Sequence, residues 1–131
     1  MHKVYRYEEQ FNSEGPYTCG WNRIRGNDVC IGINNKHSVT RPSIRNDGLE
    51  FAGDSGDEYK VACDSLKNLK AWFKGFNSRL LNSGFVIAEY TVSKKIDGYS
   101  KKQCVFHKTD VIKKEIIAQK YKCEYGQWKK I

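Results

Sequence analysis

Arg6 stands between Tyr5 and Tyr7, and this is the pattern in the chain best suited to hold a phosphate. On an extended strand a guanidinium offers planar, bidentate donors beside an aromatic surface. The same arginine can also close an ordinary cross-strand ion pair. Arg41-Pro42, after Ser38-Val39-Thr40, is a second candidate, since loops commonly carry binding residues; its alternative is a plain turn. Trp72-Phe73 reads as core, with Phe73 on the apolar face and Trp72 beside it and able to reach a groove, while His2, His37 and His107 lie far apart and are read as surface residues. The chain has no phosphate loop, Gly-x-Ser-x-Gly elbow, His-Glu-x-x-His or dinucleotide Gly-x-Gly-x-x-Gly.

Charge adds a second kind of chemistry. Residues 1–92 carry 12 Lys/Arg against 11 Asp/Glu, whereas residues 93–131 carry 11 Lys against 4 Asp/Glu, so most of the net +8 belongs to the last third. A basic face suits nucleic acid, a nucleotide or an acidic protein, or is simply solvated. Cys19, Cys30, Cys63, Cys104 and Cys123 are never closer than eleven positions. Such spacing fits thiols in a reducing compartment; a zinc site from distant cysteines with His37 or His107 is the alternative. No apolar run approaches the roughly 18–20 residues that span a bilayer, and the first residues lack the apolar core of a secretory signal. A soluble intracellular protein of 131 residues in one domain is expected.

These residues need elements to position them. Leu66, Leu69, Phe73, Phe76 and Leu80 recur at spacings of 3 and 4, which predicts one amphipathic helix over 65–83. Asp64 or Ser65 can cap it, and Gly84 suits a left-handed stop. Phe85 to Val92 reads as a strand, as do Val4 to Tyr7 and Gln103 to Phe106. From Ile116 to Tyr125 the sequence alternates like a strand with one wet face, and Val111 to Ile117 reads alternatively as a short helix capped by Asp110. Residues 17–62 are irregular, with Trp21 and Val29-Cys30-Ile31-Gly32-Ile33 as anchors and an acidic loop at 54–58.

The order Val4-Tyr5-Arg6, Gly15-Pro16-Tyr17, Arg41-Pro42, Ser65-Leu66-x-x-Leu69-x-x-Trp72-Phe73, Gly84-Phe85 and Gln103-Cys104-Val105-Phe106 resembles a family of small, uncharacterised bacteriophage proteins. The resemblance implies a phage accessory gene, and many of that size block a host enzyme or immune system. A fainter similarity is to ADP-ribosyltransferases. It would make Arg6 the NAD phosphate contact and set residues 103–106 near the catalytic strand. Gln103, however, stands where that chemistry wants a carboxylate, leaving Glu89 as a substitute in another register.

The expected fold is α+β: a mostly antiparallel sheet, one principal helix and a long irregular segment. The expected function is inhibition by binding of a host protein or nucleoprotein complex, such as a CRISPR effector, in the host cytoplasm. The alternatives are an NAD-dependent ADP-ribosyltransferase and a direct nucleic-acid or nucleotide binder. The expected contacts are Arg6, Tyr17, Arg41, Lys94, Lys95, Lys101 and Lys102, with no cofactor, metal or membrane.

Overall fold

A chain that alternates β-rich runs with a helical apolar pattern must bury both against each other, and it does so in layers. The computed structural model describes residues 1–10, 13–18, 28–54, 58–124 and 127–131. Trp21 and most of the 54–58 loop lie outside them. Strand β1 (His2–Glu8) pairs antiparallel with β3 (Val86–Val92), which pairs antiparallel with β6 (Val111–Ala118), giving the order β1-β3-β6. A second antiparallel sheet has the order β2 (Tyr59–Ala62), β5 (Cys104–His107), β4 (Ile96–Asp97). Tyr5 and Cys63 join the two sheets through reciprocal backbone bonds of 2.7 and 2.8 Å. The hairpin β7 (Tyr121–Glu124) and β8 (Gln127–Lys130) follows. The architecture is α+β with antiparallel sheets.

Strand alternation divides the first sheet into two faces. Tyr7 and Ile87 meet Leu69, Phe73, Phe76, Leu80 and Phe85 on one side. Val4, Tyr90 and Val92 meet Ala62, Cys104 and Phe106 of the second sheet on the other. The outer face of that second sheet, through Val105, packs on Leu49 and on Ala52 of helix α2 (Glu50–Asp54).

The predicted helix over 65–83 is two helices, α3 (Leu66–Trp72) and α4 (Asn77–Asn82). Gly75 at φ +89° breaks it, and the Phe76 N–H turns back to the Phe73 carbonyl at 2.8 Å. The apolar face survives because Leu69, Phe73, Phe76 and Leu80 all stay buried. Ser65 is the cap, its Oγ accepting from the Asn68 N–H at 3.0 Å. Gly84, at φ +91°, ends α4 in a Schellman motif: Phe85 N–H donates to the Leu80 carbonyl and Gly84 N–H to that of Leu81.

Two further expectations change. The segment 17–62 is not irregular throughout, since it holds the longest helix, α1 (Asp28–Thr40), whose Cys30, Ile33 and His37 face inward. Val111–Ala118 is a strand, and the alternation expected through Tyr125 is interrupted at residues 119–120 before β7 begins.

Candidate functional site

The sequence candidates fall in three places. Arg6 lies on the face of β1 that turns toward Tyr90, and its side chain is 10% exposed. Its Nη1 is 3.4 Å from Glu8, whose side chain is 1% exposed. Tyr90 donates its hydroxyl proton to Glu8 Oε2 at 2.5 Å, and the Lys114 ammonium reaches Oε1 at 2.6 Å. Burial lowers the pKa of the guanidinium, opposed by the Glu8 charge. The Tyr90 phenol is pushed up by burial and by its bond to Glu8. Glu8 and Lys114 also line a cleft of about 330 Å³, with Gln10, Ser13, Ile116 and Gln119 at its walls.

Tyr17 and Arg41 meet around α1 and α3. Trp72 Nε1–H donates to the Tyr17 oxygen at 2.6 Å, and the same hydroxyl shares a hydrogen bond with His37 Nδ1 at 2.5 Å. His37 Nε2 is a buried atom without a hydrogen-bond partner among the described residues. Burial first, then the charges of Arg41 and Lys36, hold its pKa down at about 4. Arg41 donates from Nε and Nη2 to the Trp72 carbonyl at 3.2 and 3.0 Å, with its guanidinium 5.7 Å from the indole. Trp72 is therefore core, and its polar edge anchors Tyr17. His37 is core too, contrary to the surface placement expected for it.

The four lysines occupy the two ends of the β4–β5 hairpin. Lys94 and Lys95 precede β4, while Lys101 and Lys102 form the turn that leads to β5. Lys95 is committed to Asp97 at 2.5 Å; Lys94, Lys101 and Lys102 are exposed and form no ion pair with a described residue. Asp47 fixes the turn by accepting from the Ser100 N–H (2.6 Å), Ser100 Oγ (2.8 Å) and Gln103 Nε2 (2.9 Å). Burial alone would raise the Asp47 pKa, but these bonds outweigh it and the net shift is downward. Gln103 also donates to the Pro42 carbonyl at 3.1 Å, so its amide serves the loop packing, whereas Arg6 pairs with Glu8. Glu89 pairs with Lys3 at 3.5 Å on the opposite face of the sheet from Arg6. Tyr99, 83% exposed, caps the turn with its ring against Gly48.

Cys30, Cys63 and Cys104 are buried free thiols, with Cys63 and Cys104 pushed up to about 12 by burial. No group of three or more His, Cys, Asp or Glu side chains among the described residues is arranged to hold a metal ion. No helix among them is long and apolar enough to cross a membrane.

Sequence reasoning did not single out Glu8, Asp47 or Tyr99. Glu8 alone left a trace, as a carboxylate two residues beyond Arg6 on an alternating strand.

A small α+β protein with layered antiparallel sheets and a basic hairpin is a scaffold that many functions use. The family comparison narrows this to bacteriophage proteins. The model of the Bacteriophage T4 Y00F protein family matches residues 1–120, and the chain belongs to that family. No curated protein and no solved structure gives a significant match.

Proposed function

We propose that this phage protein inhibits a host factor by binding it, with the β4–β5 hairpin as the contact surface. The observation that carries this reading is the turn at 98–102. Tyr99 is exposed there beside Lys101 and Lys102, on a backbone held by Asp47. Exposed tyrosines and unpaired cations suit an acidic partner, and a turn that is already ordered loses little entropy on docking. Lys101 supports the same reading, since it adopts φ +58°, a conformation that a lysine rarely takes. The class of target proposed is a host protein or nucleoprotein complex, such as a CRISPR effector.

The test is a pull-down from host lysate, with and without nuclease, using the parent and a variant with serine at positions 94, 95, 101 and 102. A protein captured through nuclease treatment by the parent and not by the variant supports the proposal. Capture abolished by nuclease alone would make the partner nucleic acid. Capture unchanged in the variant would remove the hairpin from the interface.

A further inference from the structure

Strand β6 lies at the edge of the first sheet. It pairs with β3 on one side, and no described strand pairs with the other. Ile112, Ile116 and Ile117 are 57%, 46% and 40% exposed. Its register against β3 slips twice, so that Ile112 and Ile117 are extra residues bracketing the regular run 113–116.

We infer that β6 pairs with β6 of a second copy of this chain, antiparallel about a two-fold axis through Lys114. A two-fold axis normal to a sheet brings like-facing residues together, which requires partners an even number of positions apart. Centred on Lys114, this pairing sets Lys113 opposite Glu115 twice and Ile112 opposite Ile116 twice. Both contacts are complementary, one in charge and one in apolar surface. Only the axial pair is like-charged, and each Lys114 is already drawn 2.6 Å from its own buried Glu8. Lys113 and Glu115, paired within the strand at 2.6 Å, are both exposed and free to exchange partners across the axis. The result is a six-stranded sheet, β1-β3-β6 continued by its symmetry mate. It covers the exposed edge that solitary strands otherwise protect with charges and bulges.

Sedimentation equilibrium of the full chain from about 5 to about 200 µM should reveal a monomer–dimer equilibrium. Lys113→Glu and Glu115→Lys, each alone, place like charges opposite one another twice and should weaken the dimer at least about tenfold. Mixed one to one, the two variants should form a heterodimer, because each supplies the charge the other lacks. Circular dichroism melts of both variants confirm that the fold is intact. A parent that stays monomeric throughout overturns the inference. So does a dimer that neither variant weakens, or two weakened variants that fail to rescue each other.

Discussion

The Glu8 carboxylate lies 3.4 Å from the guanidinium of Arg6, two positions earlier on the same face of β1, and both are almost wholly shielded from water. The arrangement turns an arginine suited to phosphate into an internal counter-ion. Removing one member of a buried pair strands the other, which typically costs about 3–5 kcal/mol. Glu8→Gln should therefore destabilise more than Glu115→Gln on the exposed strand, and urea titrations compare them. Equal midpoints would mean that water reaches Arg6 freely.

Leu69→Ala or Phe73→Ala should each lose roughly 2–5 kcal/mol by leaving a cavity between the helices and the first sheet. Thermal melts measure this directly, and wild-type melting in both proteins would contradict the assigned core face.

His37 predicts a pH dependence. Its folded pKa, about 4, lies below the ordinary 6.5. The unfolded chain therefore binds the proton first as pH falls. The stability is complete above pH 6.5 and declines toward pH 4, by up to about 1.4 kcal/mol per unit. His37→Gln should flatten that decline relative to the parent. Parallel curves in this window would show that His37 titrates normally.

Lys101→Gly separates conformation from contact. Glycine accepts positive φ without steric cost, so the variant should melt at or slightly above the parent, by at most about 1 kcal/mol. Its affinity for a captured partner should fall nonetheless. A variant that melts higher and binds equally well would leave the Lys101 side chain without a role in binding.

Asp47→Ala removes one acceptor from three donors and should cost roughly 2–3 kcal/mol. Amide exchange at residues 98–103 should accelerate most. Uniform acceleration across the chain would mean that the turn is not a separate opening unit.

What was legible in the sequence was local. Leu69, Phe73, Phe76 and Leu80 disclosed a buried face, while Ser65 and Gly84 disclosed its ends, because periodicity and capping are written in neighbouring residues. The break at Gly75 was hidden because spacings of 3 and 4 run straight through it. Helix α1 escaped notice because its inward face ends in His37, a polar residue, while Ile31 and Val39 lie outside in water. The roles of Asp47 and Gln103, and the contacts of Glu8 with Tyr90 and Lys114, depend on partners tens of positions away, which no local pattern encodes. Likewise, the basic last third resolved into lysines with separate tasks. Lys114 serves Glu8, Lys95 serves Asp97, and Lys94, Lys101 and Lys102 stay unpaired among the described residues.

The central pairing of β1 with β3 also bears on synthesis. Glu8 and Tyr90, bonded in the finished protein, are 82 positions apart. At typical translation rates of about 5–20 residues per second, the first strand waits roughly 4–16 s for the third to be made. Throughout that delay Tyr7 lacks its β3 partner Ile87, although Cys63, the backbone partner of Tyr5, is made earlier. Strand β1 is thus made well before it can settle, and chaperone dependence should concentrate in this interval of growth.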